Sequence, residues 1–355
     1  MPELASAHKV AHHREKMEAY LRGDRIYPAT LELDITSACD RNCPDCPSSR
    51  SPASHDLDLD FIERLLSLLQ GQTRGLLLTG GEPTLACRLL PQVLRLARER
   101  GFVDVAIVTN GAHLAAPSIS GALLEYASTI RVSMYDWDAE TCEPLQPTLQ
   151  RIEALRQRVD REGSALQIGV SALTSSRSVT ALSTIARQAA SAGAHWLYLH
   201  PTCTRWDRGS PTQVDQTGVL GAIEELRNRR SSGFQVFVLP QRYLERHLHF
   251  NEYHAAHFLL TIGADGLNYL APEVKYQPQH VIADVAAHWK DDFLWQPGRL
   301  ERIRSVSSRT YPALGSRHRG MLYSDLIERM LRSGDGTLGN TVPAERESFL
   351  FPHIL

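Results

Sequence analysis

From Thr30 to about residue 239, the chain alternates short runs of strand character with segments of helical periodicity. Residues 30–36 alternate apolar and polar side chains as a strand does, whereas residues 57–69 repeat apolar side chains at helical spacing. Six strand–helix pairs of this kind follow one another, and a further extended run covers residues 234–239. Such a series predicts an α/β fold whose sheet is parallel and whose crossovers are right-handed, either open or closed into a barrel.

This alternation of strand and helix patterns divides the chain into three predicted parts. Residues 1–29 form an N-terminal helical extension, residues 30–239 form the strand–helix region, and residues 240–355 form a C-terminal cap that binds substrate. Within the cap, residues 259–270 predict a hairpin that turns at Asp265-Gly266. Because the C-terminal ends of parallel strands meet at one edge of a sheet, functional side chains are expected where each strand ends.

The charge balance excludes one class of function. The chain of 355 residues has 38 Lys and Arg against 40 Asp and Glu, whereas a dedicated nucleic-acid binder usually carries a basic excess. We expect no membrane span, because no run approaches about 18 apolar residues. We expect no signal peptide, because basic and histidine side chains occupy residues 8–16. The expected location is the reducing cytoplasm, where a thiol cluster binds metal more often than it forms disulfides.

Three of the six cysteines, Cys39, Cys43 and Cys46, follow directly on the first predicted strand. Three thiolates on one short loop can bind three irons of a cubane cluster and leave the fourth iron open. A zinc site is the alternative, but it would need a fourth ligand from elsewhere in the fold. The spacing alone leaves both choices open.

The second predicted strand ends in Gly80, Gly81 and Glu82, followed by Pro83. Two glycines allow close approach of the backbone to a ligand, and the carboxylate of Glu82 can accept a hydrogen bond from an ammonium group. A tight turn between a strand and a helix is the alternative reading of the same residues.

Taken together, the cysteine motif and the Gly-Gly-Glu-Pro motif resemble the radical S-adenosylmethionine (SAM) superfamily, over residues of about 30–235. The resemblance implies a partial (β/α)6 barrel. It implies that the three cysteines bind one [4Fe-4S] cluster, that the Gly-Gly-Glu turn holds the SAM amino group, and that a flavodoxin- or ferredoxin-type protein supplies the electron. In this family the reduced cluster cleaves SAM to a 5′-deoxyadenosyl radical, which abstracts hydrogen from an unactivated carbon.

Further contacts to SAM are implied by the positions at which later strands end. The residues concerned are Thr109, Asn110, Ser133, Tyr135, Val170, Ser171 and His200. Barrel packing and turn formation are the alternatives for each. The chain departs from the family at Asp45, where an aromatic residue usually packs on the adenine. Another residue must therefore make the adenine contact.

The C-terminal region resembles the start of an extension that carries auxiliary clusters in many relatives, but no cysteine follows Cys203. We therefore predict an α+β cap without auxiliary-cluster cysteines, one cluster only, and a redox-neutral reaction. Cys203, just past the sixth strand, is a candidate hydrogen-atom donor, with a half-buried packing role as the alternative. We expect Cys87 to pack in the core of its helix. Candidate substrate ligands, which solvated surface would equally explain, are Trp206, Glu273, Lys275, Tyr276 and Arg319.

These features predict a radical SAM enzyme that acts on a sugar or nucleoside in antibiotic biosynthesis. The favoured reaction is a decarboxylation, as in enzymes that resemble cytosylglucuronate decarboxylases, or an elimination. The alternatives are a radical epimerase that uses Cys203, a peptide-modifying enzyme, and a non-enzymatic zinc-binding protein.

Overall fold

The computed structural model describes residues 3–4, 6, 8–41, 43, 46–51, 53–134, 146–202, 215–228, 233–243, 248–289, 293–311, 319–333 and 349–355. The strands are β1 Thr30–Asp34, β2 Gly75–Thr79, β3 Asp104–Thr109, β4 Thr129–Ser133, β5 Gln167–Thr174, β6 Trp196–Pro201, β7 Gln235–Val238, β8 Leu259–Ile262, β9 Leu267–Tyr269 and β10 Val281–Asp284. The helices are α1 Arg14–Leu21, α2 Leu59–Leu69, α3 Leu89–Glu99, α4 Pro117–Tyr126, α5 Gln146–Glu162, α6 Leu182–Ser191, α7 Val219–Asn228, α8 Ala255–Phe258, α9 Pro297–Arg304 and α10 Arg319–Ser333.

All of these strands lie in one open sheet, in the order β10-β9-β8-β1-β2-β3-β4-β5-β6-β7. Strands β1 to β7 are parallel and adjacent in chain order. β8 extends the sheet in parallel beyond β1, and β9 and β10 add antiparallel strands at that edge. The predicted α/β architecture, a partial TIM-like barrel, is confirmed.

Each strand of the barrel has one face toward the apolar core that it forms with the helices and the other face toward the inside of the barrel. In β1, Leu31 and Leu33 are fully buried among the helices, whereas Glu32 and Asp34 alternate with them and project to the opposite side. Burial of one such leucine contributes about 1.5–3 kcal/mol. Because both faces of the sheet are covered, every residue of β1 is buried, charged residues included. We call the inner face, with the space that it encloses, the lumen.

The residues 349–355 close the lumen at the N-terminal ends of the strands. Thr30 Oγ1 donates to His353 O at 2.5 Å, and His353 N donates to Asp104 Oδ2 at 2.8 Å. A Cβ on Gly75 would lie 1.8 Å from His353 O, so only glycine admits this segment at the start of β2. The segment therefore packs across the starts of β1, β2 and β3.

The predicted hairpin is confirmed, since β8 and β9 pair in antiparallel fashion and Gly266 in the turn has a φ of 75°. The helix before β4 spans Pro117–Tyr126. It begins at Pro117, whose fixed φ and missing N–H suit the first turn. No helix in the described part of the chain is long and apolar enough to cross a membrane.

Candidate active site

The three clustered cysteines lie on the loop between β1 and α2, and all three are free thiols. Cys39 is exposed, and Cys43 and Cys46 are partly buried. Cys46 N donates to Cys43 O at 3.4 Å, so the loop turns back on itself. Burial is the main cause that raises the pKa of the Cys39 thiol, and the nearby Cys46 raises it further.

The glycine turn after β2 fixes the base of this loop. Gly81 N donates to Thr36 O at 2.9 Å, and Glu82 N donates to Ala38 O at 2.7 Å. A Cβ on Gly81 would lie 2.0 Å from Ala38 O. The far end of the loop is held as well, because Ser48 Oγ donates to Gly80 O at 2.7 Å. The two motifs therefore form one unit, and Gly81 is needed for their contact.

Glu82 connects the ends of β2 and β3. Its side chain is only 1% exposed. Its carboxylate accepts from Thr84 N at 3.0 Å, from Thr109 Oγ1 at 2.7 Å and from Asn110 N at 2.6 Å. Asn110 Nδ2 in turn donates to Asp40 Oδ1 at 2.6 Å. Because Asp40 lies in the cysteine loop, this hydrogen bond links Glu82 to that loop through Asn110. Both carboxylate oxygens already accept hydrogen bonds, and contact of Glu82 with the SAM amino group stays a prediction.

The lumen at the ends of β4 and β5 presents two hydroxyls side by side. Ser133 and Ser171 are register partners. Ser171 is fully buried, and its Oγ has no hydrogen-bond partner among the residues that the structure describes. A buried hydroxyl without a partner is costly, so this position fits the polar group of a bound ligand. The side chain of Val170 lies in the helix-side core instead, and only its backbone reaches this edge.

The chemistry of the loop fits a cluster. Among the described residues, no three His, Cys, Asp or Glu side chains converge as they would on a single metal ion. A cubane cluster does not require such convergence, since three thiolates bind three different irons. Cys39, Cys43 and Cys46 would hold those irons, and the partnerless hydroxyl of Ser171 fits SAM at the adjoining strand ends.

Lys275, a predicted substrate ligand, is buried in the lumen against the first strand. Its Nζ lies 2.7 Å from Asp34 Oδ1 and 3.2 Å from Glu32 Oε1. Burial alone would lower the pKa of Lys275, but the two carboxylates raise it above its ordinary value. Tyr276 joins the same group, since its OH donates to Asp34 Oδ2 at 2.7 Å. These contacts occupy Lys275 and Tyr276 within the chain.

The other predicted substrate ligands are dispersed. Glu273 accepts a hydrogen bond from Tyr311 OH in a buried pair. Arg319 begins α10 and lines a cavity in the lumen. His200, a predicted SAM contact, stacks on Tyr198 with ring centroids 5.5 Å apart.

Four residues named from the sequence are not placed. Tyr135, Cys203, Trp206 and Asp45 lie outside the described residues, and their roles stay predictions. The expectation for Cys87 is wrong. Its side chain is exposed, because it lies in the turn before α3, and Leu90 and Val93 form the buried face of that helix.

Several lumen residues were not identified from the sequence. Glu32, Asp34 and Arg131 are charged side chains that alternate with fully buried aliphatic residues in β1 and β4. That alternation was the available signal, because a charge on the inner face of a barrel strand must find a partner or a ligand.

The comparison with known families matches residues 33–167 to the model described as the Radical SAM superfamily. The GTP 3′,8-cyclase of Xanthomonas campestris pv. campestris is 34% identical over 130 residues, which cover 34% of this chain and 35% of the relative. The 7,8-dihydro-6-hydroxymethylpterin dimethyltransferase of Methanocaldococcus jannaschii is 33% identical over 87 residues, which cover 23% of this chain and 17% of the relative. The chain thus spans about a third or less of the length of these relatives.

Among solved structures, SuiB of Streptococcus suis bound to S-adenosylmethionine superposes with a TM-score of 0.61 at 16% identity. The superposition covers 82% of this chain and 71% of SuiB. At this level of identity the similarity concerns the fold. Residues 33–167 of the chain thus match the radical SAM superfamily, a family that uses a [4Fe-4S] cluster and SAM.

Proposed function

We propose that this chain is a radical SAM enzyme that acts on a small-molecule sugar or nucleoside in a redox-neutral reaction, with decarboxylation or elimination as the favoured outcome. One observation carries the proposal: the cysteine loop is fastened to the Gly80–Gly81 turn, beside strand ends where the hydroxyl of Ser171 is buried without a partner. When bound, the cluster and SAM would supply the radical chemistry that removes a hydrogen atom from an unactivated carbon of the substrate.

The chain's own residues position the cysteine loop and the bound ligand, and they keep water away from the lumen. Gly81 and Ser48 hold the cysteine loop at both of its ends. Ser133 and Ser171 offer neighbouring hydroxyls to the hydroxyls of a ribose. The segment 349–355 seals the floor, so that a reactive species in the lumen is kept from solvent.

The substrate class rests on two supports. The chain has no cysteine after Cys203 for a local auxiliary cluster, which favours reactions without net loss of electrons from the substrate. One relative is named a GTP 3′,8-cyclase, a name that denotes action on a nucleotide. A nucleoside or a related sugar is therefore the first class to examine.

Two other outcomes belong to the same chemistry. In an epimerase, Cys203 would return a hydrogen atom to the substrate radical. In a peptide-modifying enzyme the substrate would be a peptide, and SuiB was crystallised with its precursor peptide. Product analysis separates them, since an epimerase takes up one solvent hydrogen at carbon and Cys203→Ala would stop that uptake while SAM cleavage continues.

The test begins with anaerobic reconstitution of the full chain. We expect about four irons per chain and substrate-dependent release of 5′-deoxyadenosine with a panel of sugars and nucleosides. Cys39→Ser should lose the cluster and this release. Cys87→Ser, an exposed cysteine outside the loop, should keep both. Protein that binds zinc without iron, or equal loss in the two variants, would overturn the proposal.

A further inference from the structure

Two side chains that follow β3 contact one carboxylate in the cysteine loop. Asn110 Nδ2 donates to Asp40 Oδ1 at 2.6 Å, and His113 Nε2 lies 3.2 Å from Asp40 Oδ2. Asp40 follows Cys39 directly and precedes Cys43 by three residues. The carboxylate therefore attaches the segment between two of the clustered cysteines to the end of another strand.

This attachment differs in place from the two described above. The contacts of Gly81 and Ser48 hold the loop at its two ends, whereas Asp40 lies inside the loop, next to a cysteine. In the sheet β2 separates β1 from β3, so the loop that follows β1 crosses the end of β2 to reach Asn110. Arg41 strengthens the crossing, because its Nη2 donates to Asn110 O at 3.4 Å.

Asn110 is held in one orientation by contacts outside the cysteine loop. Its residue is 7% exposed, and its backbone N donates to Glu82 Oε2 at 2.6 Å. Its Oδ1 accepts from Ala112 N at 2.8 Å. One end of the amide thus faces an N–H group and the other end faces a carboxylate, which assigns the amide nitrogen to the side of Asp40. Asn110 is therefore a fixed point to which the loop is tied.

The backbone of the turn after β3 is fixed as well. Gly111 has a φ of 81°, a conformation that glycine adopts without a steric cost. A Cβ at this position would lie 2.9 Å from Val132 Cγ1. Gly111 N donates to Thr109 Oγ1 at 3.0 Å, and that hydroxyl donates to Glu82 Oε1 at 2.7 Å. The turn that carries Asn110 is thus tied to the ends of both β2 and β3.

We propose that Asn110 is a positioning residue for the cluster ligands, which acts through Asp40 to set the segment from Cys39 to Cys43. A hydrogen bond to an ionised acceptor is roughly twice as strong as one between neutral groups, so a single amide can hold the loop. His113 supports the same carboxylate where both side chains are partly exposed. The inference rests on the proposed function, because it takes these cysteines as ligands of the cluster. It assigns the amide of Asn110 to the cysteine loop, whereas the family resemblance implies a contact with SAM.

Exchange of donor and acceptor tests the pair in the full chain without cluster or SAM. In Asn110→Asp a second carboxylate faces Asp40, so the ratio of unfolded to folded chain in urea should rise about tenfold. In the double variant Asn110→Asp with Asp40→Asn, the amide lies on the cysteine loop and the carboxylate follows β3. The ratio should then return to within about threefold of the wild-type value. A ratio equal to or above that of Asn110→Asp would overturn the inference.

Iron content after anaerobic reconstitution separates positioning of the loop from stability of the fold. Asn251→Asp is the matched control, because Asn251 Nδ2 donates at 2.9 Å to Glu328 Oε1, a carboxylate in α10 rather than in the cysteine loop. Both single variants should be destabilised, but only Asn110→Asp should lose most of its iron, and the double variant should regain it. Asn110→Ser removes the donor without adding charge, and it takes the place of Asn110→Asp if that variant does not fold.

Two results would contradict the positioning role. They are equal loss of iron in Asn251→Asp, and wild-type iron content in Asn110→Asp. A wild-type protein that binds no iron would instead contradict the proposed function. The unfolding measurements would in that case still decide whether Asn110 holds Asp40.

Discussion

Lys275 Nζ lies 2.7 Å from Asp34 Oδ1, across 241 residues of sequence. The pair joins the first barrel strand to the segment that follows the β8–β9 hairpin, next to the turn at Gly80, where a Cβ would lie 2.9 Å from Asp34 Cβ. The C-terminal region is thus coupled to the wall of the lumen beside the cysteine loop.

Loss of Lys275 should destabilise the fold. Lys275→Met would leave Asp34 and Glu32 buried without their cation, which typically costs about 3–5 kcal/mol. Urea unfolding measures the loss. Arg14→Met, which removes one member of the exposed pair with Glu18, should cost at most about 1 kcal/mol. The double variant Lys275→Met with Asp34→Asn should be less destabilised than Lys275→Met alone, and equal or greater destabilisation would contradict the pairing.

Substitution at Gly81 should release the cysteine loop. In Gly81→Ala the new Cβ would displace Ala38, so we expect iron content after reconstitution to fall to a small fraction of the wild-type value. Gly121→Ala is the control, because nothing lies within 4 Å of its Cβ position in α4. It should keep its iron and gain about 0.4–1 kcal/mol in stability. Iron retained in Gly81→Ala would show that the loop does not depend on this contact.

Because of Lys9, the free energy of unfolding should increase as pH rises. Its folded pKa is about 7 and its ordinary value is 10.5. Between these values the unfolded chain binds a proton that the folded chain does not, so the free energy of unfolding increases as pH rises. The effect is absent below about pH 7 and complete near pH 10.5. The measurement is the thermal midpoint of wild type and of Lys9→Met at several pH values. The difference between the two midpoints should change with pH, and a difference that stays constant would contradict the prediction.

Local periodicity was sufficient for much of the architecture. The six strand–helix pairs and the hairpin at Asp265-Gly266 follow from side-chain spacing within each element, since one face of each must be buried. The proximity of the two motifs likewise follows from the rule that parallel strands end at one edge.

The partners of individual charged residues could not be predicted. Lys275 contacts Asp34 only because β8 joins the sheet beside β1. The sequence pattern of the hairpin does not indicate where in the sheet the hairpin will pack. Arg319 reaches the lumen because α10 packs through Gly320, where a Cβ would meet Tyr253 OH at 2.0 Å. Such pairings depend on tertiary contacts between distant segments, which a single sequence does not reveal.

Ser171→Ala should separate folding from ligand binding. Within the described part of the chain the hydroxyl has no hydrogen-bond partner, so its removal should leave stability unchanged or raise it by up to about 1–3 kcal/mol. If this hydroxyl contacts SAM, affinity for SAM in the reconstituted protein should fall about tenfold. Thr261→Val is the matched control, because Thr261 Oγ1 is also buried and has no partner among the described residues. Thr261 lies on β8, beyond β1 and away from β5. The control should gain similar stability and keep its SAM affinity. An equal loss of affinity in both variants, or none in Ser171→Ala, would remove Ser171 from the SAM site.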